Sequence, residues 1–365
     1  MSKTLDPAEI FPWSVPEDAA GARLDQLLVQ AFPEISRSQW AKRVEEGRVL
    51  VDAQVSAPSF KPKAGQVLSW SPAEAVAAPA DSMKFEGEEP EVLFEDDDIV
   101  VVNKPEGLTV HAGAGVPTSR TLVGWLLASG RVRSDDGLDP ERPGIVHRLD
   151  RGTSGVMVVA KHASAHAALA RQFESRQAGR LYWAVVEGRV QALFQKRPVR
   201  LEKLLHRDPP SCALRLIEDG IASFTSLLSR DSADRTRFRV SHDQGKRALT
   251  HFLEVARNQQ FSLLELKLGT GRTHQIRVHL SFLGFPIVGD GAYGGRGHPR
   301  ILLHAHTLQL RHPRSEEAME FHAPWPASAA AWLTAEGLGA QTRSPLWDTL
   351  EADSSSDSNK DGLED

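Results

Sequence analysis

At 365 residues and 41% apolar content, the chain can bury a core and has the length for two domains. Its formal charge of −5 averages unlike segments: Lys plus Arg stand against Asp plus Glu at 9 to 19 over residues 1–98, 32 to 21 over 99–326 and 2 to 8 over 327–365, so only the middle is basic enough to attract a polyanion. No apolar run approaches a membrane span, residues 1–6 hold no signal-peptide core, and the single cysteine, Cys212, excludes an internal disulfide, so a cytoplasmic protein with no membrane partner is expected; it is taken as a monomer.

After a lead-in over 1–20, apolar spacing from Leu24 to Phe32 predicts a helix that Pro33 interrupts. Ser36 or Ser38 can cap a second helix through Glu46, and Gly47 supplies a left-handed terminator before the strand-like Val49 to Val51. These elements define a first domain over 21–75. Its cations Arg37, Lys42, Arg43 and Arg48 either present a positive face to phosphates or make an ordinary solvated helix face. Residues 76–98 read as a linker, Ala/Pro-rich to Ala80 and acidic from Glu86 to Asp98.

Beyond the linker, strands are predicted over 99–102, 156–160, 181–186 and 262–268. Ala163, Ala167, Ala170 and Glu174 mark helical steps, and Ile276, Leu280 and Leu283 form the apolar stripe of a helix ended by Gly284. Strand runs with a few helices between them make an α+β domain over 99–335. The acidic stretch 336–365 reads as a disordered tail.

Chemistry concentrates in three segments. Residues 144–155 set one carboxylate, Asp150, between Arg148 and Arg151 in a Gly/Ser/Thr turn before the apolar run Val156 to Ala160. Such an Asp commonly bonds only its own backbone. A second dense polar set, Thr270, Arg272, Thr273, His274 and Arg277, sits at what reads as a helix start. Between them lies the aromatic strand of Tyr182 and Trp183, where alternation places Tyr182 on the face opposite Trp183 and Val185. His298, His304 and His306 lack a completing carboxylate or cysteine pattern, so no metal is expected. The run His147-Arg148-Leu149-Asp150 is superficially kinase-like, but no nucleotide-binding glycine loop accompanies it.

In this order, and with Val102 to His111, Val288-Gly289-Asp290, Tyr293-Gly294 and Leu303-His304-Ala305, these segments resemble the RluA-type pseudouridine synthases from about Glu91 to Pro326. Arg23-Leu24-Asp25, Ser36-Arg37-Ser38, Gly47-Arg48-Val49 and Gly65-Gln66-Val67-Leu68 resemble an S-four-like RNA-binding module, a small α/β domain. The resemblance implies a mixed, mostly antiparallel central sheet with flanking helices, and isomerisation of uridine in RNA without cofactor or metal. Ribosomal RNA is favoured as the partner, with transfer RNA as the alternative. By the same resemblance Asp150 is the essential anion, Arg277 pairs with it, Tyr182 stacks on the base and removes the carbon-5 proton, and Arg148 fills the stack that the uridine leaves. His147 is read as a neutral histidine bonding the turn backbone. The sequence departs from the family at Arg180, commonly Lys, at Arg151-Gly152, and in the long stretch from Gly188 to Gly245. A non-catalytic ribosome-assembly factor on the same fold would be expected to lack Asp150 or Tyr182; both are present.

Overall fold

The chain divides into two units, Met1–Ala78 and Pro79–Asp365. The computed structural model describes residues 12–32, 37–45, 47–70, 84–113, 115–132, 138–139, 142–191, 193, 212–217 and 220–339.

In the first unit, α1 (Leu24–Ala31) and α2 (Arg37–Glu45) pack beside a four-stranded antiparallel sheet of β1 (Trp13–Ser14), β2 (Val49–Val51), β3 (Gln54–Val55) and β4 (Val67–Trp70), in the order β1-β4-β2-β3. The predicted helical spacing is realised: Leu24, Leu27 and Leu28 are buried with Trp40, Val44 and Leu68. Phe32 meets Trp70 edge-on, ring centroids 4.9 Å apart, and aromatic contact closes this small core. Gly47 takes φ +70, the left-handed conformation expected of a terminator. The proposed cap Ser36, with Pro33 and Glu46, lies outside the described residues.

The second unit is built on an 11-stranded sheet: β5 (Glu91–Glu95), β6 (Ile99–Lys104), β7 (Ser154–Ala160), β8 (Gly179–Glu187), β9 (Cys212–Leu216), β10 (Ala222–Arg230), β11 (Phe238–Ser241), β12 (Lys246–Arg257), β13 (Phe261–Leu268), β14 (Leu303–Arg311) and β15 (Ala318–His322). The main path runs β11-β10-β12-β13-β8-β14-β7-β6-β5, with β9 on β10 and β15 on β14. Among the described strands only β14 and β7 pair in parallel, so the sheet is mixed and mostly antiparallel, as expected. The helices α3 (Leu122–Ala128), α4 (Ala163–Glu174), α5 (Gln275–Leu283) and α6 (Ala327–Ala335) flank it. Every residue of β7 is buried, which is why its sequence is a continuous apolar run rather than an alternating one.

Two expectations need correction. Residues 76–98 are not all linker, because Glu91–Glu95 forms β5, antiparallel to β6. Composition hid the strand: Val92, Leu93 and Phe94 pack on the core while the acids beside them hold structure together. Asp96 Oδ1 accepts from the N–H groups of Asp98 and Ile99 at 2.8 Å, and buried Asp98 is held by Arg314 and His162, each at 2.9 Å. At the other end, ordered structure passes the expected boundary at 336. Asn258 donates to the Glu336 carbonyl at 2.9 Å and Leu338 is buried against α6, while residues 340–365 lie outside the described residues.

Candidate active site

Strand alternation splits β8 as its sequence implies. Trp183 and Val185 face α6, while Tyr182 faces the other way with Leu266, its partner on β13. On the Tyr182 side lies a cleft of about 510 Å³, lined by the loop through Asp150, by β8 and by the start of α5.

The loop before β7 is clamped. The Ala160 N–H donates to the Gly144 carbonyl at 2.9 Å, and the Gly107 N–H donates to the Arg151 carbonyl at 2.8 Å. His147 Nε2 accepts from the Val158 N–H at 3.1 Å, so this side chain bonds β7 rather than its own turn, and its ring stacks on Phe173 at 4.5 Å. Burial, reinforced by the charge of Arg180, pushes His147 down to about 3, so it is neutral at physiological pH. These anchors leave Asp150 at the cleft with its side chain 18% exposed, and Arg148 exposed at the rim.

Arg277 is the nearest cation to Asp150, with Nη1 to Oδ2 at 3.5 Å, but its stronger bond is elsewhere. Its Nε donates to Asp290 Oδ2 at 2.7 Å and its Nη2 to Oδ1 at 2.9 Å, a two-pronged pair with a fully buried carboxylate. Burial opposes this charge most, but the Asp290 bond together with the charges of Asp290 and Asp150 outweighs it, so the guanidinium is held above its usual range. The pairing of Arg277 with Asp150 implied by resemblance is thus one arm of a three-residue set in which Asp290 fixes the arginine. Behind Asp150, Lys104 ends β6 fully buried and donates to the carbonyls of Pro105 and Leu108 at 2.8 and 2.9 Å. Burial pushes Lys104 down to about 7, against the pull of Asp150 and Glu106.

Tyr182 is 4% exposed, and burial raises its phenol above the usual value against the pull of Arg180. In the resting site it is a protonated ring, suited to stacking. Arg180, the departure from Lys, lines the cleft with its guanidinium 5.2 Å from the Phe173 ring. In the first unit Arg37 is tied to Asp25 at 2.9 Å, as is Arg23 at 3.0 Å, which gives it a structural role. Arg43 lies 5.2 Å from the Trp40 ring, Arg48 is exposed, and the Lys42 side chain is outside the described residues.

The profile of the family described as RNA pseudouridylate synthase matches residues 98–282, and that of the S4 domain matches 22–68. Ribosomal large subunit pseudouridine synthase D of Xanthomonas campestris is 36% identical over 340 residues, covering 88% of this chain and 91% of that protein. The chain belongs to the RluA-type RNA pseudouridine synthases. An uncharacterized RNA pseudouridine synthase of Bacillus subtilis, YlyB, is likewise 36% identical, covering 86% of this chain and 94% of its own. Among solved structures, human RNA pseudouridylate synthase domain containing 1 aligns with a TM-score of 0.49 at 24% identity, over 73% of this chain and 96% of that one.

In this synthase the sequence segments singled out for chemistry converge: Arg148, Asp150, Tyr182 and Arg277 line one cleft. Asp290, Lys104 and His274 were passed over as functional candidates although each lies in a segment that carried the resemblance. For Asp290 the available signal was a carboxylate next to a glycine at φ +79, too tight for a side chain because a Cβ there would come 1.7 Å from the Arg300 carbonyl.

Proposed function

We propose that the enzyme isomerises uridine in large-subunit ribosomal RNA, with Asp150 as the group that acts at the glycosidic bond. The observation that carries this reading is Asp150 itself: a cleft carboxylate faced by Arg277 at 3.5 Å, on a loop fixed at both ends. The class of RNA rests on relatives named for the large ribosomal subunit, with an S4 domain matched at residues 22–68.

Isomerisation breaks the bond between N1 and the sugar, turns the base, joins carbon 5 to the sugar, and trades the carbon-5 proton for one on N1. Nothing is oxidised or reduced and no group donor enters, so the chain's own side chains suffice. The uridine must leave its stack, at a cost of a few kcal/mol. Arg148, exposed at the rim, is suited to fill the gap, and Tyr182, buried on the cleft floor, supplies a face for the turned base. Arg277, held by Asp290, aims at the carboxylate and fixes its direction.

Asp150→Asn is nearly isosteric and removes only the anion. It should abolish pseudouridine formation in a tritium-release assay while circular dichroism and RNA affinity stay near wild type. Turnover within about tenfold of wild type would remove Asp150 from the chemistry. Mapping pseudouridines in ribosomal and transfer RNA of a deletion strain tests the substrate, and loss confined to transfer RNA would overturn the ribosomal assignment.

A further inference from the structure

One cleft side chain is held in an unfavourable backbone conformation. His274 precedes α5 with φ +56 and ψ +19, a left-handed position that strains a residue other than Gly. It caps nothing, because it makes no side-chain bond to the helix N–H groups. Instead its Nδ1 lies 2.9 Å from the Tyr293 hydroxyl, and its Nε2 lies 4.0 Å from Asp150 Oδ2.

The bonding order fixes the tautomer. Tyr293 Oη already accepts the Phe238 N–H at 2.9 Å, so its own hydrogen is free to point at His274 Nδ1. Burial raises the Tyr293 phenol, which keeps that hydrogen in place. An imidazole that accepts at Nδ1 carries its proton at Nε2, the nitrogen turned toward Asp150. The charged groups facing this ring are Asp150 from the loop, Arg277 from α5, Asp290 from the turn after it, and Arg148 from the rim. Burial is the largest influence and lowers the ring's affinity for a second proton; the two arginines add to it and the two carboxylates oppose it. The third link, Phe238, opens β11, in the long stretch between Gly188 and Gly245 that departs from the family.

We propose that His274 is a positioning residue for Asp150: a neutral imidazole whose Nε2–H is aimed at the carboxylate and whose tautomer is set by Tyr293 and the backbone of Phe238. This rests on the reading that Asp150 carries the chemistry. At 4.0 Å the contact is beyond a hydrogen bond in the free enzyme, and it shortens into one when RNA fills the cleft. Together with Arg277 it gives Asp150 donors from two directions, which limits rotation of the carboxylate about its own bond.

Long-range proton–nitrogen NMR of the histidine-labelled full chain reads the tautomer directly and does not depend on turnover. Between about pH 7 and 8, His274 should be neutral with its proton on Nε2, and Tyr293→Phe, which keeps the ring beside Arg277, should spread the proton over both nitrogens. Single-turnover rates on a short stem-loop RNA then test the aim. Asn tolerates the left-handed backbone better than His but is too short to reach Asp150, so His274→Asn should fold well and lose roughly ten- to a hundredfold in rate with little change in KM. His274→Gln, whose amide N–H2 reaches the Nε2 position, should recover most of that loss. A proton on Nδ1 in the wild type, a doubly protonated ring at pH 7, a wild-type rate in the Asn variant, or equal losses in the Asn and Gln variants would each overturn the proposal. Failure of the underlying reading would show separately, as turnover by Asp150→Asn.

Discussion

Arg277 illustrates how the arrangement of the cleft is decided one residue at a time. A guanidinium has five donors, and here three oxygens of two carboxylates stand within its reach, so type and motif position alone leave its main partner open. The fold decides for Asp290 through a two-pronged bond at 2.7 and 2.9 Å in full burial, leaving 3.5 Å to Asp150. What was legible in the sequence was that Arg277 and Asp150 belong to one site. What was not legible was the turn from Gly284 to Asp290 that brings a second acid under the arginine, since that depends on three-dimensional closure. Removing one partner of a buried pair leaves the other charge without compensation, at about 3–5 kcal/mol. Asp290→Ala should therefore lower the urea midpoint markedly. Asp290→Asn, which keeps one acceptor, should fold better yet lose single-turnover rate without losing RNA affinity, because Arg277 is then free to rotate away from Asp150. An unchanged rate in a folded Asn variant would mean that Asp150 alone fixes Arg277.

Elements were more readily read than their joints. The stripe Ile276, Leu280 and Leu283 specifies α5, and Gly284 ends it at φ +100 as its sequence suggests. The helix nevertheless begins at Gln275 rather than in the preceding Thr-Gly-Arg-Thr run. The Gln275 side chain accepts from the Thr270 hydroxyl at 2.7 Å and from the Arg272 N–H at 3.1 Å, and donates to the Leu249 carbonyl at 2.8 Å, which fixes those residues as a turn on β12. β5 was hidden for the opposite reason, since its acids mask three apolar residues at an edge. The crossing of β7 and β14 is the joint on which the site depends most directly, because β7 starts where the Asp150 loop ends. There Gly155 adopts φ +121, and a Cβ would come 2.1 Å from the Ala305 carbonyl oxygen. The intruding contact is with backbone, which cannot rotate away. Gly155→Ala should cost on the order of 3 kcal/mol or more and lower activity by displacing the loop. Gly113→Ala, with nothing within 4 Å of its added Cβ, is the control and should move the urea midpoint little. Equal midpoints for the two variants would show that the β7–β14 crossing can relax.

At the scale of the whole molecule, the two units have separate cores, and charge is distributed unevenly along the chain. The balance of Lys and Arg against Asp and Glu is 9 to 19 over residues 1–98 and 32 to 21 over 99–326, so the region holding the cleft carries the phosphate-seeking excess. In the first unit Arg37 is engaged by Asp25, and Lys42, Arg43 and Arg48 are the other cations that the sequence offers to RNA. Each phosphate of a single-stranded RNA that a protein cation neutralises adds about 0.7 to the slope of log affinity against log salt, so removing three such cations should lower it by about 2. A shortened chain beginning at residue 82 retains the whole core of the second unit, with Asp150, Tyr182, Arg277 and Asp290. It should fold cooperatively and convert a short RNA slowly at high concentration, with weaker binding and a salt slope reduced by about 2. Recovery of the rate at saturating RNA would assign the first unit to affinity alone. A well-folded shortened chain that stays inactive at saturation would mean instead that residues before 82 help to build the cleft, and the separation of binding from chemistry would fail.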